Sequence, residues 1–190
     1  MWEIAELFPG QGDWTESGYL RLDTNRLVEF DNGIIEVLPM PKKIHQIIMM
    51  LLHGILTAFF ATRSVGGIVI VAGYKLRIPG GKYREPDLLY LTADQDAGSN
   101  EDFTNQADLV IEIVSPDDPD RDYVKKRLDY ALARVPEYWI VDRDEGRILV
   151  LTLDNDAYVE HGRFIAGHIA TSRRFAELSV TVDEVLNPKR

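Results

Sequence analysis

Hydrophobic and polar positions divide the chain into elements before any chemistry is considered. "RLVEF" and "GIIEVLP" are short runs separated by Asp31-Asn32-Gly33. Asn-Gly suits the positive φ angles of a tight turn, so the pair predicts a hairpin. Pro39 and Pro41 end its second strand. From Lys42 to Arg63, Ile44, Ile48, Leu51, Ile55 and Phe59 form an apolar stripe, widened by Ile47, Leu52 and Leu56. That spacing predicts a long helix, stopped by Gly66-Gly67. "GIVIVAGYKLRIP" reads as two strand pieces around Gly73, Gly80-Gly81 as a turn, and "EPDLLYLT" as a further strand. The segment to about Gly18 has few signals and predicts a short helix or loop.

In the second half, Asp94 to Asn105 is polar and acidic and predicts a loop. "ADLVIEIVSP" predicts a central strand. Asp120 to Arg134 predicts an amphipathic helix, with Val124, Leu128 and Leu132 as its apolar stripe and Pro136 after its end. Asp120 or Asp122 is placed to cap it. "EYWIVD" is the next strand, and strand–helix–strand order implies a right-handed parallel crossover. "RILVLTL" and "AYVEHGRF", joined through Asp154-Asn155-Asp156, form a late β-meander. "TVDEVL" predicts one or two helical turns. The whole is an α/β domain with a mixed β-sheet core flanked by helices, an N-terminal hairpin and a C-terminal meander.

Length and composition narrow the classes. The 190 residues favour a single domain, 1–190. The longest apolar stretch, "IIMMLLHGILTAFF", is interrupted by His53 and Gly54, so no membrane span is expected. "MWEIAELFPG" lacks the basic and apolar blocks of a signal peptide. Cysteine is absent, which excludes thiolate chemistry and fits a cytoplasmic protein. The net charge of -10 argues against nonspecific nucleic-acid binding through a basic surface. It is compatible with carboxylates that a divalent metal neutralises.

Two carboxylates interrupt otherwise apolar strands. In "ADLVIEIVSP", Leu109, Ile111 and Ile113 share one face while Val110, Glu112 and Val114 share the other. A buried carboxylate needs a base, a donor or a cation. Asp87 in "EPDLLYL" begins a strand after Pro86 and shares a face with Leu89 and Leu91. Taken alone, Asp87 reads as an ordinary strand entry. Taken together, two strands each bring an acid to a similar place. Mg²⁺, with Mn²⁺ as its substitute, takes such oxygen ligands, and the Ile113 carbonyl beside Glu112 is the natural third.

"EPDLLYL", "ADLVIEIVSP" and "KRLDYALARVPEYWIVD" together resemble the Uma2 family (DUF820, restriction endonucleases) of the PD-(D/E)XK nuclease superfamily. The resemblance runs from about Arg26 to Asp142 and includes "VLPMPKKIHQ". It implies a restriction-endonuclease-like fold and a metal-dependent endonuclease acting on DNA. Asp87 becomes the aspartate of the Pro-Asp motif, and Glu112 the acid of the second half-motif. The lysine expected two positions later is Val114. Lys126 is the replacement, since Lys126-x-x-x-Tyr130 matches the family's lysine and tyrosine and places both on one helical face. Glu36 is a further acid near the first core helix, or an outward polar position in its strand. His45 matches a family histidine that would contact a phosphate or orient a carboxylate, or it is a helix-start residue. Tyr138 is a candidate hydroxyl beside the site, and Trp139 reads as core.

Two other functions stay open. Val114 and the net charge suit a binding or regulatory module without cleavage. The acidity equally suits a metal hydrolase of a small phosphorylated molecule. A homodimer paired through the late meander is expected, since nucleases that cut duplexes often pair.

Overall fold

Adjacent strands place the core and the site together. The computed structural model describes residues 8–63 and 66–188. In chain order it contains α1 (Glu16–Leu20), β1 (Val28–Asp31), β2 (Ile34–Val37), α2 (Lys43–Ala61), β3 (Ile68–Val71), β4 (Lys75–Ile78), β5 (Lys82–Arg84) and β6 (Leu88–Leu91). Then follow α3 (Ala93–Ala97), β7 (Phe103–Thr104), β8 (Leu109–Ile113), a π-helical segment (Arg121–Lys126) running into α4 (Arg127–Leu132), and β9 (Glu137–Asp142). The chain closes with β10 (Arg147–Asp154), β11 (Ala157–Ile165), β12 (Ile169–Thr171), β13 (Ser179–Thr181) and α5 (Val182–Leu186). Of the N-terminal segment expected to be a short helix or loop, residues 1–7 lie outside the described ones, and α1 follows.

A six-stranded sheet ordered β11-β10-β9-β8-β6-β3 forms the centre. β8 and β9 pair in parallel and the other neighbours antiparallel, so the sheet is mixed, as expected for the crossover. α2 covers one face: Ile48, Leu52, Leu56 and Phe60 pack against Tyr90, Leu109, Ile111, Trp139 and Val141. On the other face Val110, Tyr138, Ile140 and Leu149 pack beneath Tyr130 and Ala131 of α4. The period-2 alternation of β8 thus splits its side chains between two cores, as the apolar pattern requires.

A second, five-stranded sheet, β2-β1-β5-β4-β7, carries the N-terminal hairpin. Asn32 and Gly33 have positive φ at its turn, which only permissive residues adopt readily. The two pieces around Gly73 part company: β3 joins the central sheet and β4 the second one.

Three expectations need correction. The segment 94–105 is not a plain loop. Thr92 accepts from the Gln95 N–H, and the Gln95 side chain accepts from the Thr92 N–H, a capping box that starts α3. Neither Asp120 nor Asp122 caps the following helix with its side chain; Asp122 is buried instead. The stripe of Val124, Leu128 and Leu132 faces outward, 51%, 68% and 53% exposed, while Asp122, Lys126, Asp129 and Tyr130 are buried. Periodicity finds an amphipathic helix but is blind to which stripe faces the interior when that interior is polar. The long helix runs as its periodicity predicts, unbroken through His53 and Gly54. Its 19 residues suffice by length and composition for a membrane crossing, yet it packs as the core helix of the sheet.

Candidate active site

The antiparallel register of β6 and β8 pairs Leu88 with Ile111 and Leu89 with Val110. Continued by one residue, the same register sets Asp87 directly opposite Glu112, on the face shared with Leu89 and Val110. Cross-strand neighbours of this kind hold their Cβ atoms within about 4.5–5.5 Å. Both acids line one cavity of about 230 Å³, together with Glu36, His45, Ile113 and Lys126.

Each acid has its own support. Asp87 Oδ2 accepts from the Ile113 N–H at 2.7 Å and meets His45 Nε2 at 3.0 Å. His45 reaches it from the first turn of α2, whose amides no side chain caps. Burial disfavours the imidazolium, but Asp87 outweighs burial and raises the His45 pKa above 6.5. Glu112 is 2% exposed. It accepts from the Tyr130 hydroxyl and faces Lys126 Nζ at 2.9 Å. Burial pushes its pKa up, against the pull of Lys126 and with the push of Asp87 and Asp122.

Lys126 is as buried as the acid it meets. Its ammonium also lies 3.5 Å from Asp122 and 3.7 Å from Glu29. Burial acts against its charge, yet Glu112, Glu29 and Asp122 hold its pKa above the ordinary lysine range. Lys125 points outward to Asp118 at 3.9 Å. The π-helical turn that delivers Lys126 also carries Asp122, and such widened turns recur at functional sites. Tyr138 does not touch a site carboxylate; its hydroxyl donates to the Asp122 carbonyl at 3.0 Å. Trp139 is core, donating to the buried Glu137.

The structure therefore brings Asp87, Glu112, Lys126 and His45 together. Glu36 stands at the rim, half-exposed and paired with Arg121 at 2.6 Å. Ile113 lines the same cavity and donates its N–H to Asp87.

Sequence reasoning missed the supporting network. Glu29, fully buried on β1, receives Arg121 at 2.7 Å, Arg84 at 3.4 Å and Lys126. Despite burial, those cations lower its pKa below 4.5. Arg84 in turn pairs with Asp129 at 2.7 Å and with Asp31. Glu85 lines the cavity with its Oε2 buried and unpartnered, and burial pushes its pKa up to about 7. Asp122 could have been found as the fourth residue before Lys126. Glu29 could have been found as the hairpin partner of Glu36, which it faces across the turn.

Fold and site together define an α/β protein of the restriction-endonuclease-like class. The Uma2 family, described as "Putative restriction endonuclease", matches residues 17–183, and the chain belongs to that family. A solved structure from Anabaena variabilis ATCC 29413, titled as "a putative nuclease belonging to DUF820", superposes with a TM-score of 0.71. It is 19% identical, with 90% of this chain and 96% of that chain covered, which shows the shared fold. No functionally curated protein matches the chain.

Proposed function

We propose that this protein is a divalent-metal-dependent nuclease that hydrolyses phosphodiester bonds in DNA. The observation that carries this reading is the juxtaposition of Asp87 and Glu112 across neighbouring strands, with Lys126 supplied from the following helix. The ammonium reaches the site although position 114 is a valine.

The residues suit a hard cation. Seven carboxylates line the cavity against two fixed cations, Arg121 and Lys126. A phosphate would be repelled there unless positive charge were added. Among the described residues no three His, Asp or Glu side chains form a ready-made ion site. Asp87 and Glu112 would therefore hold Mg²⁺ or Mn²⁺ with backbone and water completing its shell, as suits an ion that keeps several waters. When bound, the ion supplies positive charge to the phosphoryl oxygens and makes a nucleophilic water accessible at neutral pH.

The chain's own groups do the rest. His45 and the Ile113 N–H fix the orientation of Asp87. Tyr130 holds one oxygen of Glu112 and leaves the other to Lys126. Lys126, kept protonated, stabilises negative charge that develops on phosphorus-bound oxygen. The dipole of α2 presents its positive end at the same cavity.

The test incubates plasmid and oligonucleotide substrates with Mg²⁺ or Mn²⁺, using wild type, Asp87→Ala and Glu112→Ala. Cleavage that survives both substitutions sinks the site. A second reading, a binding module without cleavage, is favoured by the engagement of Lys126 with three carboxylates. Metal binding seen by calorimetry with no cleavage under any condition would select it.

A further inference from the structure

One buried acid of the cavity has no use in the chemistry described so far. Glu85 lies where the chain crosses from β5 of the second sheet to β6 of the central one, two residues before Asp87. It is 6% exposed and lines the same cavity as Asp87 and Glu112. Its backbone is fixed twice. Pro86 after it restricts it to extended conformations, and its N–H donates to Glu29 Oε1 at 3.3 Å. Its carboxylate is less well served. Lys75 comes no nearer to Oε1 than 4.0 Å, and Oε2 is buried without a hydrogen-bond partner among the described residues. An open oxygen of this kind costs stability unless a donor reaches it.

The other inner acids of the cavity are engaged. Glu112 meets Tyr130 and Lys126, and Asp122 meets Lys126. Asp87 takes both the Ile113 N–H and His45 on Oδ2. The open oxygen of Glu85 answers a need that these groups leave. Asp87 and Glu112 are only two side-chain ligands, and a hard ion held by two carboxylates keeps several waters. The hydrogens of those waters need acceptors in the cavity wall. Acceptors of this kind, one step outside the direct ligands, orient a metal site and tune its affinity.

Resting on the nuclease reading, we propose that Glu85 is a positioning residue for the divalent cation: its open oxygen accepts a hydrogen bond from a water in the ion's shell. It thereby adds a third negative charge to the Asp87 and Glu112 pair without touching the ion. Because this contact runs through water, three acids need not converge on one point, and among the described residues no three do. Without the ion, the same oxygen is a buried acceptor that no protein donor reaches. Glu85 is therefore unfavourable for the fold by itself and favourable once the ion is bound.

The experiment titrates Mn²⁺ alone into wild type, Glu85→Gln, Glu85→Leu and Asp87→Ala by calorimetry, at one mildly alkaline pH. Thermal melts of the metal-free proteins accompany it. Glu85→Gln, which removes the charge, should weaken Mn²⁺ binding about tenfold, and Glu85→Leu, which removes the acceptor, at least as much. The metal-free Tm of Glu85→Gln should be unchanged or raised, since a buried carboxylate oxygen without a donor is gone. That opposition of sign separates positioning from a structural role, which would lower the Tm and leave the affinity alone. Plasmid cleavage by Glu85→Gln should fall at low Mg²⁺ and return when Mg²⁺ is raised about tenfold, while Asp87→Ala stays inactive. Unchanged Mn²⁺ affinity in both Glu85 variants overturns the proposal, whichever way the Tm moves. The nuclease reading then still stands if Asp87→Ala loses the ion in the same titrations. If wild type takes up no Mn²⁺, both fall together.

Discussion

The two principal helices obey opposite rules. α2 turns its apolar stripe to the sheet and buries Ile48, Leu52, Leu56 and Phe60. The segment 121–132 turns Asp122, Lys126 and Asp129 inward and displays Val124, Leu128 and Leu132. One is held by the hydrophobic effect, the other by the apolar contacts of Tyr130 and Ala131 together with ion pairs and hydrogen bonds that converge on Glu112 and Glu29. The difference teaches where function sits. An element that exposes its main apolar stripe while burying charge is positioned for chemistry, because buried ion pairs are a weak route to stability.

The sharpest way to break the comparison is at Lys126. Lys126→Ala should lower cleavage at least about a hundredfold, the size expected for losing a transition-state electrostatic contact. It should also cost about 3–5 kcal/mol of stability in denaturant titration, because Glu112, Glu29 and Asp122 lose a common cation. Mg²⁺ should then raise the Tm of the variant more than that of wild type, since the vacated charge favours the ion. A variant as stable as wild type would mean that the helix is not held by its buried charges.

The α2 side should respond differently. Leu52→Ala removes a fully buried side chain and should cost about 2–5 kcal/mol through lost burial and the cavity left behind. Its kcat should change little, since Leu52 does not line the cavity. A collapse of activity without loss of stability would erase the distinction between the helices.

These two outcomes bear on what the sequence could reveal. α2, β6 and β8 were legible because their order comes from apolar periodicity, which a single chain displays. Glu112 and Asp87 stood out as acids against that pattern. Lys126 was reached through resemblance rather than periodicity, since "KKR" also reads as a solvated patch. The pairing of Glu29, Arg84 and Asp129 was not legible. Their hydrogen-bonded partners lie 45 to 92 residues away along the chain, and no local pattern encodes a pairing between a hairpin and a distant helix. Strands β5, β7, β12 and β13 were missed for a related reason: each has only two or three residues, too few for alternation to register.

The polar interface should also give the protein an acid-sensitive limb. Glu29 has a folded pKa below 4.5. Its contribution is therefore fully present above about pH 4.5 and is lost as pH falls through the lower folded value. Stability measured from pH 6 to pH 3 should fall, and the fall should be shallower in Glu29→Gln, where nothing titrates at that position. Identical slopes would show that the hub contributes no linkage.

The smallest expected effect is the most telling about the exposed stripe. Leu128→Ala removes an apolar side chain from water and should change stability by no more than about 0.5 kcal/mol. That is a small fraction of the Leu52→Ala loss, although the two substitutions are chemically identical. The comparison should hold at every protein concentration if the stripe faces solvent. If two copies pair through the stripe, the Leu128→Ala loss grows with concentration, because association adds stability only when the partner is present. Sedimentation across the same range separates the cases. A Leu128→Ala loss equal to that of Leu52→Ala in dilute monomer would mean that the helix packs with its apolar face inward, and the inversion that delivers Lys126 to Glu112 would be gone.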